Sequence, residues 1–567
     1  MAVATGPTTR ITPCSAVDRA LSELAAAKDN WCRTTAGQRA ALAKECLTGA
    51  VRASREWVAA ACDAKVLDPN GPASSEEVAT GPLATVRFLR LLIASLEDVE
   101  RCGRPRLPGK PALAADGRLR LRVFPGRGMF DSLLFRAFNV ETRMLPEVTL
   151  DNLDERLRTA CRLDRPSGQV ALVLGAGNVS SIPAVDAFGK LFGQGHVVLL
   201  KLNPVNDYLG PIFERAFEPL VRGGFLRLAY GSAETGAYAV SHQLVDEVHI
   251  TGSIASHDTI VWGPPGNDRE ARRAANRPLL AKPITSELGN VTPWIVVPGP
   301  YSEGQLDFQA ENVAAMIVNN ASFNCIAVKL IVTSRHWPDR QRFLDKVEAV
   351  LARVPRRRAY YPGAFDRYRR FTGREPPPDA LGSLPWTLVR DVRADENPHW
   401  FAEESFVCAC AETALDAPSD AFLERAVELV NQRVWGTLGC GLTVHPAFRR
   451  RPQGEARLQQ ALSALRYGTV GINHWPALAY AMMGPPWGGY PGATLADAQS
   501  GMGWVHNAYL LDGVEKNVLE GPLVVHPKPF WFPTHRQAHR LAWKVLDLYD
   551  RPAWWKLAAL TGPALRG

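Results

Sequence analysis

Apolar residues recur at helical spacing through the N-terminal part of the chain. AVDRALSELAAAKDNW (16 to 31) carries alanine and leucine along one side and charge along the other, so residues 16 to 64 are expected to be helices. GRPRLPGKPALAADGR (103 to 118) reads as a Pro/Gly-rich loop, and RLRLRVFP (118 to 125) alternates with period two, the pattern of a half-buried strand. From residue 168 the period changes. GQVALVLGAG predicts a buried strand entering a glycine turn, SSIPAVDAFGKLFGQG a helix, HVVLLKLNP a strand, GPIFERAFEPLVRGG a helix, and FLRLAYG and DEVHITGS two further strands. Strands alternating with helices predict a parallel, doubly wound sheet. A second α/β segment starts near 286 and contains NPHWFAEESF and RYGTVGINHW. Residues 264 to 278, which are highly charged, and 354 to 379, rich in Arg, Tyr and Pro, are expected to be surface excursions.

The chemistry-bearing residues fall at the ends of these elements. GAGN (175 to 178) follows a strand and carries two glycines of a dinucleotide fingerprint, with Ser180 in the place of the third; alone it also reads as a plain strand-to-helix turn. Lys201, in KLNP, ends a central parallel strand, where a side chain faces the ligand crevice; its other reading is a snorkelling surface lysine. In ITGS (250 to 253), Gly252 and Ser253 let a helix N-terminus approach a pyrophosphate, or Ser253 simply caps that helix. Glu287, in SELGNVTP, is a carboxylate on an apolar approach: a general base with a raised pKa, or a hydrogen-bonded structural glutamate. Cys325 follows the polar turn NNASFN and precedes an apolar run. At a helix start it would be a nucleophile of lowered pKa, and otherwise a small buried hydrophobe. His535 and His539 have a metal-compatible spacing, but no Glu stands at 536, and no metal site is expected.

Asn178, Lys201, Gly252–Ser253, Glu287, Cys325, EESF with Glu404 and Phe406, and PWGGYPG (486 to 492) occur in one order that resembles the aldehyde dehydrogenase superfamily across residues 165 to 505. The resemblance implies an α/β fold with a Rossmann-like cofactor-binding domain (165 to 285, with 1 to 138 as its N-terminal part) and a second α/β catalytic domain (286 to 505). It also implies a small β oligomerisation element from 139 to 164 and 506 to 530, hence a homodimer or homotetramer. A basic, Trp-rich tail (531 to 567) follows. The roles implied are Cys325 as nucleophile, Asn178 with the Cys325 N–H as oxyanion hole, and Glu287 as the base for thioester hydrolysis. Lys201 resembles a contact to the adenosine ribose and Ser253, beside Gly252, a pyrophosphate contact. Glu404 resembles the carboxylate holding the nicotinamide ribose, and Phe406 the ring supporting it. The implied cofactor is NAD or NADP, and the substrate a small-molecule aldehyde.

The sequence departs from the family pattern at several points. Ala176-Gly177 replaces the usual Pro-Trp, Pro204 stands where NAD-preferring members often have Glu, and His257 and Ser322 replace common glycines. Val407-Cys408 follows EESF in place of Gly-Pro. The alternatives carried are a CoA-acylating dehydrogenase or fatty acyl-CoA reductase, sharing the Cys325 thioester, and a non-catalytic binding or scaffold protein on the same fold. His474, Trp475, Tyr480 and Trp487 are candidates for an apolar substrate tunnel or for plain core.

Composition bounds the remainder. A chain of 567 residues exceeds one hydrophobic core, and 46% apolar with 22% charged residues is ordinary for a globular protein. The net charge of +8 comes from scattered arginines without a nucleic-acid motif, so no nucleic-acid partner is expected. The first 20 residues lack the apolar core of a signal peptide, and no uninterrupted apolar run reaches the roughly 18 residues of a membrane span. The ten cysteines are scattered, which fits reduced thiols and a cytoplasmic location. The tail is expected to pack on its own subunit or a neighbour, its alternative being peripheral membrane contact.

Overall fold

The computed structural model describes residues 10–128, 130–161 and 167–567. The first nine residues, part of the segment read for a signal peptide, and 162–164 of the expected oligomerisation arm lie outside the described residues. Two sheets organise the chain. The first is five-stranded and wholly parallel, in the order Leu226–Ala229, Val197–Lys201, Val170–Leu174, Glu247–Thr251, Ile284–Glu287. Its central strands Val170–Leu174 and Val197–Lys201 are runs rich in Val and Leu because helices cover both faces. The helices Cys14–Arg33 and Ala36–Lys65 coincide with the expected helical region. The first docks on this sheet, with the Trp31 ring meeting Phe192 and Phe225, and the second packs on the helix Gly210–Ala216, where the Trp57 ring meets Phe213.

The second sheet has ten strands. Thr469–Ile472, Gly439–Thr443, Thr292–Val296, Val328–Ser334, Ala409–Leu415 and Thr387–Val389 run parallel in that order. Val514–Glu520 adds in parallel to Thr469–Ile472, and Asn139–Met144, Leu119–Phe124 and Ala112–Leu113 then pair antiparallel, each with the strand before it. The strands of the expected arm are thus joined, within one chain, to the catalytic sheet. Two boundaries differ from the sequence reading. Leu119–Phe124, assigned with the cofactor domain, belongs to this second sheet; its alternation reports a half-buried strand but not which sheet it joins. Ser286 and Glu287, assigned to the catalytic domain, finish the last strand of the first sheet.

The charged segment 264 to 278 contains the helix Asn267–Ala274, none of whose residues is buried. Segment 354 to 379 is a surface excursion only in part: residues 373–375 and 377–379 are exposed, while Ala364, Tyr368 and Phe371 are buried in the core of the second sheet. In the tail, the helix Ala538–Asp550 buries Leu541, Val545, Leu546 and Tyr549, while Trp554 and Trp555 of the next helix are exposed. The helical stretch Ser74–Cys102 is long and apolar enough to cross a membrane by length and composition, a feature missed when only uninterrupted apolar runs were counted. It is mostly buried inside the protein, as core helices are.

A buried ion pair ties that stretch to the tail. Arg87 donates to both oxygens of Asp131 at 2.7 and 2.8 Å and to the Met482 carbonyl, while Tyr549 Oη donates to Asp131 at 2.6 Å. Removing the cation leaves a buried, unpaired carboxylate. Arg87→Leu should therefore lower unfolding free energy by about 3–5 kcal/mol, as measured by urea denaturation; a loss under about 1 kcal/mol would contradict this account.

Candidate active site

The two sheets meet along a cavity of about 1290 Å³. The first sheet turns the carboxyl ends of its strands toward it, where ligands bind in open parallel sheets. Lys201 and Glu287 are the last residues of their strands, and Gly252 and Ser253 follow Glu247–Thr251. From the second sheet come the loops preceding two strands, Cys325 before Val328–Ser334 and Glu404 with Phe406 before Ala409–Leu415. Asn178, Lys201, Gly252, Ser253, Glu287, Cys325, Glu404 and Phe406 all line this one cavity.

Asn178 and Cys325 are joined through the loop between them in space. Asn178 Nδ2 donates to the Phe323 carbonyl at 3.1 Å, which fixes the amide plane and leaves its second N–H for a ligand. Asn320 Nδ2 donates to the same carbonyl at 2.8 Å and to the Asn178 carbonyl at 2.9 Å. Asn320, Ala321 and Ser322 have φ of 53, 54 and 68°, left-handed values at consecutive positions without a glycine. Ser322, where the family pattern has glycine, is held in that conformation by Lys329, whose Nζ donates to the Ser322 carbonyl at 3.0 Å and Oγ at 2.7 Å.

Cys325 does not start a helix; the chain continues into a strand, so no helix N-terminus lowers its thiol pKa. The thiol is instead pushed well above its ordinary value, by burial first and then by the Glu287 and Glu404 carboxylates, with Glu287 hydrogen bonded to it. This reverses the lowered pKa expected from sequence. Glu287 is only 3% exposed and is pushed up to about 8, by burial and then by the Asp186 carboxylate, while hydrogen bonds with Cys325 and Trp487 oppose the rise. Glu404 is pushed up to about 7 by burial, opposed by Lys329 and a backbone hydrogen bond from Asn290. Glu287 Oε1 and Glu404 Oε1 have no hydrogen-bond partner among the described residues.

At the far end of the cavity Lys201 is drawn down to about 8 by burial, partly offset by Asp207. Pro204 lines the wall, and neither neighbouring acceptor takes the place of the missing glutamate. Asn203 Oδ1 accepts from the Val205 amide at 3.0 Å, and Asp207 Oδ2 accepts from the Arg10 amide at 3.3 Å. At Gly177, where the family pattern has Trp, a Cβ would lie 2.7 Å from Asn203 Cγ. Ser253 caps the helix Ile254–Trp262 by accepting from the Ser256 amide. Of the tunnel candidates, Tyr480 packs against Ala176, Val179 and Ile182 and meets the Trp487 ring edge to face. His474 and Trp475 are core: they hydrogen bond to the carbonyls of Pro522 and Ile326.

Several residues at the site escaped the sequence reading. Lys65 Nζ reaches Asn320 Oδ1, Tyr360 Oη reaches Asn178 and Asn320, and Arg357 pairs with Glu76, whose carboxylate binds the Asn320 amide. Lys329 links the Cys325 loop to the Val407 carbonyl at 3.0 Å. A lysine inside the otherwise apolar IAVKLIV strand was the one available signal; Lys65, Arg357 and Tyr360 offered none, because their segments look like solvated helix and loop.

No protein-family model and no curated protein matches the chain. Solved structures do. Lactaldehyde dehydrogenase from Escherichia coli superposes with a TM-score of 0.60 at 15% identity, over 90% of this chain and 92% of that one. An NAD-dependent aldehyde dehydrogenase from Sinorhizobium meliloti gives 0.59 at 15% identity, over 92% and 88%. Glyceraldehyde-3-phosphate dehydrogenase from Methanocaldococcus jannaschii, complexed with NADP, gives 0.59 at 12% identity, over 90% and 95%. The chain has the fold of the aldehyde dehydrogenase superfamily.

The carboxylate–thiol contact makes a measurable prediction. Glu287→Gln removes a negative charge beside Cys325, so the pH midpoint for alkylation of Cys325 by iodoacetamide should fall by about 1–3 pH units. Peptide-resolved mass spectrometry separates Cys325 from the exposed Cys14 and Cys102. An unchanged midpoint would mean that Glu287 does not set the acidity of this thiol.

Proposed function

We propose that this protein oxidises an aldehyde to a carboxylic acid with a nicotinamide dinucleotide. The observation that carries this reading is the convergence of a cavity-facing thiol, an oriented amide and a buried carboxyl of raised pKa with one unpartnered oxygen, those of Cys325, Asn178 and Glu287. Cys325 adds to the carbonyl carbon, and the oxyanion is held by the Asn178 amide and the Cys325 N–H; such donors contribute about 3 kcal/mol each to the barrier. In its ionised form Glu287 takes the thiol proton, passes it to solvent, and then activates water to hydrolyse the Cys325 thioester.

The residues present fit the cofactor. Glu404 Oε1 is a buried acceptor without a donor, suited to ribose hydroxyls. Gly289 keeps the space beside it open, since a Cβ there would lie 2.2 Å from Glu404 Oε2. Ser253 and the following helix start would face the pyrophosphate, Phe406 the nicotinamide side, and Lys201 the adenosine ribose. When bound, the dinucleotide supplies the hydride acceptor. Water is favoured over CoA as acyl acceptor because Glu287 is the base that hydrolysis needs.

Cys325→Ala should abolish aldehyde oxidation and leave cofactor binding intact; wild-type turnover in that variant would overturn the reading. Glu287→Gln should slow steady-state turnover while a burst of NAD(P)H survives in rapid-mix absorbance. Because a general base acts only when ionised, turnover of the unmodified protein should rise with pH through about 8, and this rise should disappear in Glu287→Gln. Faster steady-state turnover of the unmodified protein on adding CoA would favour the acylating alternative.

Pro204 generates a separate expectation. It neither accepts from an adenosine 2′-hydroxyl nor repels a 2′-phosphate, and Lys201 in the same turn carries a donor for that phosphate. Both NAD+ and NADP+ should serve, with kcat/KM values within about a thousandfold of each other, since one charge-assisted contact contributes only about 1.5–3 kcal/mol. A larger preference for NAD+ would show that another acceptor replaces the missing carboxylate.

A further inference from the structure

The loop that carries the nucleophile is gripped from outside the cavity by side chains far away in sequence. Lys65, the last residue of Ala36–Lys65, is buried, and its Nζ donates to both oxygens of Glu77 at 2.8 and 2.9 Å, to Asn320 Oδ1 at 2.9 Å and to the Asn178 carbonyl at 3.2 Å. Glu76 accepts from the Asn320 amide at 2.7 Å and from both Nη atoms of Arg357 at 2.6 and 2.9 Å. Tyr360 Oη donates to Asn320 Oδ1 at 2.9 Å and lies 3.2 Å from the Asn178 carbonyl.

We propose that Lys65, Glu76, Arg357 and Tyr360 are positioning residues that set the relative geometry of Asn178 and Cys325. None of the four lines the cavity, so none touches a reacting group. Their contacts end on the loop amide, on the Asn178 carbonyl and on the Asn320 side chain. The consequence follows from donor and acceptor counting. With Lys65 and Tyr360 both donating to Asn320 Oδ1, the Asn320 amide cannot flip, and its Nδ2 must face the carbonyls of Phe323 and Asn178. The Phe323 carbonyl is also what holds the Asn178 amide. Losing the donors to Asn320 frees its amide to rotate and loosens the carbonyl two residues before Cys325. Ion pairing alone does not account for the arrangement, because well-packed apolar side chains generally match a buried ion pair in stability.

The inference rests on the aldehyde-oxidising reading for its kinetic arm only. The test uses the full chain with Tyr360→Phe, Arg357→Met, and Lys65→Met combined with Glu77→Gln so that no unpaired carboxylate stays buried. Circular dichroism checks folding. The first measurement is the iodoacetamide alkylation rate of Cys325 relative to the exposed Cys102 in the same sample. The second is kcat against KM for aldehyde and cofactor. Folded variants should change the alkylation ratio by about threefold or more and lower kcat by about ten- to a hundredfold, with KM for the cofactor within about twofold. Wild-type alkylation ratios and kcat in folded variants would overturn the proposal. If the Lys65 pair variant does not fold, Tyr360→Phe, which keeps every charge, decides. If the unmodified chain oxidises no aldehyde, the functional reading fails, while the alkylation ratio still decides the clamp.

Discussion

The structure of the site depends on one backbone constraint: Asn320, Ala321 and Ser322 are left-handed in succession. For residues with a Cβ this conformation costs about 1–2 kcal/mol each, so the loop alone is uphill by about 3–6 kcal/mol. Only asparagine among these three has a recognised tolerance for it. The conformation persists because charged donors and acceptors meet the loop on both sides, Glu76 and Lys65 at Asn320 and Lys329 at Ser322. Hydrogen bonds to charged groups contribute about 1.5–3 kcal/mol each, enough to offset that strain. The reversed backbone turns the Phe323 carbonyl toward Asn178 and brings Cys325 to the cavity wall. A relaxed loop would break the hydrogen bond between the Asn178 amide and the Phe323 carbonyl.

A second constraint is electrostatic. Glu287 and Glu404 share one cavity with a buried thiol, and each negative charge there raises the proton affinity of the others. Asp186, behind Glu287, is kept ionised against burial by His249 and His506, which lie 3.5 and 3.2 Å from its oxygens. Its fixed charge helps hold Glu287 near 8 and thus protonated at neutral pH. Burial and neighbouring carboxylates thus favour the neutral forms of the thiol and of Glu287, and a positively charged ligand entering the cavity would tilt both groups toward ionisation.

What the sequence made legible follows from the range of the forces concerned. Strand periodicity and the glycine and serine turns are local, and the elements from 168 to 251 appear where the pattern puts them. The order of Asn178, Lys201, Glu287, Cys325 and Glu404 was also readable, because each sits beside an apolar strand, Lys201 and Glu287 at its end, Asn178 just after one, and Cys325 and Glu404 just before one. The acidity of Cys325 was not, since it depends on carboxylates brought near only by folding. Lys65 and Asn320 are 255 residues apart, and nothing in RASREWVAAACDAK distinguishes a buried lysine from a solvated one. Arg357 and Tyr360 were hidden for the same reason: an Arg- and Tyr-rich stretch reads as surface until Glu76 and Asn320 are placed beside it.

The position of the site follows from the chain's path between its sheets. Glu287 ends the last strand of the first sheet, and Thr292 begins a central strand of the second, with only 288–291 between them. So short a connection forces the edge of one sheet against the strand starts of the other. The linker is pinned on both sides: the Leu288 amide donates to the Ser500 carbonyl and Asn290 Nδ2 to the Gly439 carbonyl. Gly289, between them, allows Glu404 to approach closer than any side chain would permit. The carboxyl ends of the first sheet's strands thereby face the loops that open the strands of the second. Lys201, Ser253 and Glu287 come from one side, and Cys325, Glu404 and Phe406 come from the other. Glu287 belongs by hydrogen bonding to the first sheet and by chemistry to the second. Moving the sheet boundary by a single residue would turn this carboxylate to the opposite face, away from Cys325, since side chains alternate along a strand.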